Sequence, residues 1–511
     1  MKFRLLLLCA LSAALALPAT AAAHPSNATN SFAYGLGGAS AWLTNSAAID
    51  DEAARFTTTN NMILKSFTPR EPGTPNVFND FISDLAFWGD RVYQGTFDGF
   101  RIIDVADVSN PVVLQDFDDC SNANGAGQGD VVVWGSILVR TWDSNTSATG
   151  VTCDGRPVQN GPSGGAPGTG GFEGLHVFDV SNPSNPELIA SVDLTCGSHT
   201  ATGVPDLSSG RLLVYSTPSS GNCDGIDIVE VPLGAPAQAK FLRFEPAGPN
   251  VAGADGFACH DTGVILGSAM RAACAGGVGF AVWSLGGEDG GSLEDPQFLY
   301  NHALPEIADR PPNPESVDNP TGHSAAFSWD GDTIIFGHEP GGGVNPRCQV
   351  IGAPISGANG AGVQTANMKS FFFFDTESGQ QKGKWTLTRN QSATENCTLH
   401  NYNVIPTERD DILVQGSYQS GTGVLNFDRP SNAREMAFAD PAPLPDPPGP
   451  ATIHIGGSWA TYFYNGHLFD SDITRGLYIW DLDEKEARVD AMRLDHLNPQ
   501  TQEFTIGEPD D

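Results

Sequence analysis

The apolar positions of this chain fall in short, strand-length runs bounded by Gly, Asn and Pro. One run recurs along the sequence. It opens with a small residue, continues through four mostly apolar ones and reaches a polar residue five positions on. The copies are Gly99 to Asp104, Gly174 to Asp179, Gly225 to Glu230, Gly279 to Ser284, Ser370 to Asp375, Gly423 to Asp428 and Gly476 to Asp481, seven in all. Their start-to-start steps of 75, 51, 54, 91, 53 and 53 residues give a base period near 53 with two enlarged copies. The enlargements coincide with Gly161 to Gly171 and Gly341 to Gly362, whose compositions belong to loops.

Each period predicts four strands. Leu85 to Trp88 leads through Gly89-Asp90 to Val92-Tyr93-Gln94, then to Gly99 through Val105, and a fourth run, Val112 to Phe117, follows the Asn110-Pro111 break. The order repeats at Val131 to Trp134, Ile137 to Thr141, Leu175 to Val180 and Leu188 to Val192. Runs such as Phe371 to Phe374 and Leu477 to Trp480 are apolar at successive positions, which calls for burial on both faces of the sheet. A ring of sheets supplies that burial. The expected fold is therefore all-β, a seven-bladed β-propeller of four-stranded antiparallel blades. Two separate sandwiches would require the period to break mid-chain, and it does not. The ring is expected to span residues 59–505, after a loosely ordered arm at 24–58 and before a polar tail at 506–511. Either Met62 to Phe67 or Val489 to Leu494 would complete the last blade. Pro441 to Pro450 reads as an extended surface loop.

The segments Gly99-Phe100-Arg101-Ile102-Ile103-Asp104-Val105 and Gly174-Leu175-His176-Val177-Phe178-Asp179-Val180-Ser181-Asn182-Pro183 resemble LVIVD-repeat proteins. The copies at Gly279 and Ser370 depart from that pattern, with Ser284 in place of the acidic residue and Ser370 in place of the glycine. The resemblance implies a bacterial or archaeal propeller that is secreted or surface-exposed. It implies no particular reaction.

Lys2 and Arg4 precede an apolar run from Leu5 to Leu17 and an Ala-rich ending before His24, the plan of a signal peptide over residues 1–23. Release to the periplasm or medium, without membrane insertion, is the corresponding expectation. The formal charge of −34 repels polyanions and argues against nucleic-acid binding. Cys9 lies within the apolar run, which leaves eight cysteines for an oxidising compartment. Sequential pairing is expected because each bridge would then close a loop in or beside one repeat: Cys120 with Cys153, Cys196 with Cys223, Cys259 with Cys274 and Cys348 with Cys397.

Aligning the innermost strands puts His199, His260, His323 and His400 in one register of successive blades, where the other blades carry Ser83, Gly129 and Trp459. Inner strands converge on a propeller axis, so these imidazoles can meet as ligands of a transition metal. The residues that follow include Asp84, Asp130 and Asp261, carboxylates available behind the histidines. The competing expectation is architectural, each histidine bonding to backbone or hydroxyl in the adjacent blade. Two loop clusters stand apart: His338-Glu339, and Asp470 with Asp472 near Arg475. For both, solvated loop polarity is the plainer reading; the aspartates are also weak calcium candidates, since they lack the full EF-hand spacing.

No Gly-x-Ser-x-Gly elbow, phosphate loop, His-Glu-x-x-His or dinucleotide fingerprint occurs. Two functions remain from the sequence. One is a monomeric extracellular scaffold that presents loops to a protein, peptide or polymer. The other is a metal-dependent oxygenase, lyase or hydrolase centred on the histidines.

Overall fold

The computed structural model describes residues 46–507 apart from 71–80, 121–127, 144–150, 158–170, 195, 219–222, 250–258, 278, 305–321, 341–347, 349, 356–361, 390, 392–394, 444–455 and 484–490. The expected signal peptide, the arm before residue 46 and most of the two Gly-rich insertions lie outside the described residues.

Seven antiparallel sheets form the body, and their first strands are Ile82–Trp88, Val131–Trp134, Ala201–Asp206, Cys259–Ile265, Gly322–Phe327, Tyr402–Val404 and Ser458–Tyr464. These strands, numbered here as blades 1 to 7, contact one another in order, and the seventh contacts the first. The ring is closed. Blade 7 takes its outer strand from the amino-terminal side, Met62–Pro69 pairing with Gly476–Leu482. Of the two segments expected to complete that blade, the earlier one does so.

Alternation explains why the strands are apolar at every position. In Ser370–Asp375, Phe371 and Phe373 enter a cluster shared with blade 6, while Phe372 and Phe374 enter the cluster of blades 4 and 5. Leu477 and Ile479 likewise face blade 1, and Tyr478 and Trp480 face blade 6. Each fully buried side chain of this size contributes about 1.5–3 kcal/mol relative to exposure. The repeat's opening glycine has its own cause: a Cβ at Gly174 would lie 2.1 Å from the carbonyl oxygen of Val192, and φ there is +156°. The third strand starts pressed against the fourth, and glycine permits the approach.

The expected disulfides are all present, Cys120–Cys153, Cys196–Cys223, Cys259–Cys274 and Cys348–Cys397.

Three features extend the expected plan. The arm is ordered from residue 46 on: a helix, Ser46–Ala53, leads to Phe56–Thr58, a fifth strand of blade 6. Tertiary contacts fix it, since Phe56 packs edge-on against Tyr478 and Trp480, and Tyr478 donates a hydrogen bond to Glu52. Blades 1 and 4 also have a fifth strand, His496–Leu497 beside Ile82–Trp88 and Thr501–Gln502 beside Cys259–Ile265. The polar tail begins later than residue 506, because Ile506 is buried and donates its N–H to Trp329 O.

Residues 491–506 thus form an inner strap. Met492 bonds Pro406 in blade 6, Leu494 bonds Asn465 in blade 7, Asp495 bonds Gly89 in blade 1, and Asn498 bonds Val133 in blade 2. Thr501 then bonds Gly203 in blade 3, Gln502 bonds Leu266 in blade 4, and Ile506 reaches blade 5. The strap touches every blade, mostly where the inner strands end. The opposite face, where those strands begin, carries the histidines.

Candidate metal centre

His260 and His323 are the second residues of their inner strands, and His199 and His400 lie two residues before theirs. Cys259–Cys274 anchors the strand that carries His260. All four imidazoles are buried and run around the axis in blade order. His199 Nε2 is 2.9 Å from His260 Nε2, and ring centroids are 4.0 Å apart for both His260–His323 and His323–His400.

The outer nitrogens fix the tautomers. His400 Nδ1 is 2.5 Å from the carbonyl oxygen of Trp459, which can only accept, so Nδ1 carries the proton and Nε2 keeps its lone pair. His199 Nδ1 meets Asp143 Oδ2 at 2.7 Å, with the same consequence. His323 Nδ1 bonds Ser324 Oγ, whose own proton is directed to His400 O and Asn401 Oδ1. Three Nε2 lone pairs therefore turn inward.

Glu339 joins them. It is fully buried, with Oε1 3.6 Å from His400 Nε2 and Oε2 4.0 Å from His323 Nε2, and Tyr418 donates its hydroxyl proton to Oε1. Ligand atoms of His260, His323 and Glu339 all lie within 4.8 Å of one another. The 2.9 Å between His199 Nε2 and His260 Nε2 is a hydrogen bond, in which the His199 lone pair accepts from His260 Nε2–H. Burial pushes the Glu339 carboxyl up to about 8, against the pull of the Tyr418 hydrogen bond, and pushes His400 down to about 3. Both shifts favour the neutral forms, and a cation would reverse the first.

The residues after the histidine register mostly stitch blades together. Asp130 Oδ2 accepts from Ala201 N at 2.7 Å, Thr200 Oγ1 donates to His260 O at 2.8 Å, and Ser324 Oγ donates to His400 O. The architectural expectation thus describes these neighbours and the outer histidine nitrogens. It also covers His199 Nε2, which meets His260 Nε2 at 2.9 Å, while the inward nitrogens of His323 and His400 lie 4.0 and 3.6 Å from the Glu339 carboxylate. Asp84 accepts from Tyr462 and from Gln500 of the strap. Burial, then the Asp84 charge, raises Asp130 well above the usual carboxylate range and Asp261 to about 8.

The loop clusters are not solvated. His338 is buried against Phe336 and Phe372, with Nε2 on Asn367 O, so it belongs to the blade interior while its neighbour Glu339 faces the axis. Asp470 and Asp472 are buried too. Asp472 accepts from the backbone N–H of Thr474 and Arg475 and pairs with the Arg475 guanidinium, which closes a turn. Asp143 and Tyr418 had no sequence signal, because neither stands in the histidine register.

The family model described as LVIVD repeat matches residues 171–194. The chain carries an LVIVD repeat. That LVIVD segment coincides with the third and fourth strands of blade 2, Gly174–Asp179 and Glu187–Asp193, outside the inner-strand register that carries the histidines. The chain is also similar to the computationally designed Ika8 protein, with 12% identity over 78% of this chain and 96% of that one and a TM-score of 0.37. For the mitotic checkpoint complex the identity is 10% over 82% of this chain and 96% of that one, with a TM-score of 0.44. No curated protein sequence matches the chain.

Proposed function

We propose that this propeller is a secreted metalloprotein whose axial centre, built on His260, His323 and Glu339 with His199 and His400 alongside, holds a first-row transition ion and acts on a small substrate. The observation that carries the reading is the convergence of ligand atoms from three residues within 4.8 Å, at a point where hydrogen bonds outside the ring turn further imidazole lone pairs inward. Four imidazoles with one carboxylate suit iron, copper, nickel or zinc better than magnesium or calcium. Such an ion supplies Lewis-acid or one-electron chemistry. The strap lies across the ends of the inner strands, so substrate would approach from the face where those strands begin. Four disulfides, and the absence among the described residues of any helix long and apolar enough to cross a membrane, accord with function outside the cytoplasm.

Metal analysis of protein purified without added metal tests the reading. Near-stoichiometric transition metal that disappears in the His260→Ala, His323→Ala double variant is expected. Protein that stays metal-free after incubation with iron(II), cobalt(II), copper(II) and zinc(II), yet is fully folded, sinks it. The extracellular scaffold would then be the surviving function, favoured by the hydrogen bonds that already tie the outer histidine nitrogens into the fold.

A further inference from the structure

Tyr418 is one of three non-glycine residues with positive φ among those described, at +45°. Met270 sits beside the turn before Arg271–Gly276, Asn465 in the turn after Ser458–Tyr464, and Tyr418 at the start of the turn that joins Ile412–Gly416 to Thr422–Asn426. Tyr418 is bulky and 3% exposed, and a left-handed backbone is unfavourable for it. It is held there from blade 7: its N–H donates to Ser458 O at 3.0 Å and its carbonyl accepts from Ser458 N at 2.8 Å, and Gly421 N adds a third bond. The outcome of that conformation is the placement of one side chain. The ring lies 4.6 Å from His400, and the hydroxyl reaches across to Glu339 in blade 5.

Glu339 has two oxygens in different situations. Oε1 takes the Tyr418 proton; Oε2 has no hydrogen-bond partner among the described residues and lies on the side of His323. The geometry points to Tyr418 as a positioning residue that fixes Oε1 by hydrogen bonding and so presents Oε2 to His260 and His323 as a monodentate metal ligand. This rests on the metal reading above and assigns the arrangement of that same site. Outer partners of this kind orient a ligand and tune its affinity without touching the ion.

The test is cobalt(II) titration of metal-stripped, disulfide-intact protein, read by affinity and by the visible d–d spectrum. Wild type is expected to bind. Tyr418→Phe is expected to bind about 10–100-fold more weakly, with shifted bands, because the carboxylate is free to rotate. If that variant does not fold, Glu339→Gln decides: its amide oxygen still accepts the Tyr418 proton but no anionic oxygen faces inward, and affinity should fall by at least the same factor. Tyr418→Phe with wild-type affinity and spectrum overturns the assignment and leaves the metal centre standing, as does undiminished binding by Glu339→Gln. A wild type that takes up no cobalt(II) removes the metal centre and this inference together.

Discussion

Asp143 Oδ2 lies 2.7 Å from Nδ1 of His199, a contact that joins the end of a blade 2 strand to the inner rim of blade 3. The carboxylate can only accept in its ionised form, so it keeps the imidazole proton on the outer nitrogen and aims the inner lone pair at His260. A polar contact across a blade boundary thereby sets the chemistry of an axial atom.

Asp143→Asn should weaken metal binding about 10–100-fold while leaving the fold intact, because the side chain is partly exposed and, among the described residues, its contact is the orienting one to His199. Competition titration against a chromophoric chelator, with circular dichroism as control, measures it. Undiminished affinity would show that His199 is oriented by its packing alone.

Metal-free protein should lose stability as pH rises from neutral through about 8. Glu339 and Asp261 have folded values raised to about 8 by burial, so the stability their protons confer is fully present below the unfolded carboxylate values and is lost progressively from about 4 up to about 8, the last of it above neutral. His400, held near 3, acts the other way and costs stability only as pH falls below its unfolded value near 6.5. Melting temperatures between pH 6.5 and 8.5 in the presence of chelator check the sign, and Glu339→Gln should flatten the slope.

Asn498→Ala should destabilise by about 2–4 kcal/mol. The amide accepts from Val133 N and donates to Val133 O, both at 2.9 Å, and its loss leaves two buried backbone groups unsatisfied. Denaturant unfolding reads the effect. A change below about 0.5 kcal/mol would mean that the strap adds nothing to the closure of the ring at blade 2.

Replacing Cys259 and Cys274 by Ala should cost about 3 kcal/mol, the loop closed being 15 residues long. The bridge is immediately before His260, so cobalt(II) binding should weaken in the same variant. Stability lost with metal affinity unchanged would separate the bridge from the site.

Much of the propeller was legible in residue order because its determinants are local. Strand-length apolar runs, the opening glycine and the Asn-Pro breaks each act within a few residues, so the period and the count of seven survive two long insertions. The four histidines were legible for the same reason, as one register repeated in four blades, and the cysteine pairs because each closes a loop in or beside one blade. His338 and Glu339 were not separable. Adjacent strand residues point to opposite faces, so which one meets the axis depends on strand pairing and not on composition.

Order along the chain thus determined the ring, its bridges and which imidazoles share a level. Folding in three dimensions decided the rest: which nitrogens of His199, His323 and His400 take outer partners, that Glu339 lies beside them, that Tyr418 in a left-handed conformation donates to it, and that residues 491–506 return to touch every blade. Those outcomes depend on hydrogen-bond partners up to several hundred positions away, such as Asn498 and Val133, and no local pattern encodes a contact whose two halves are specified so far apart.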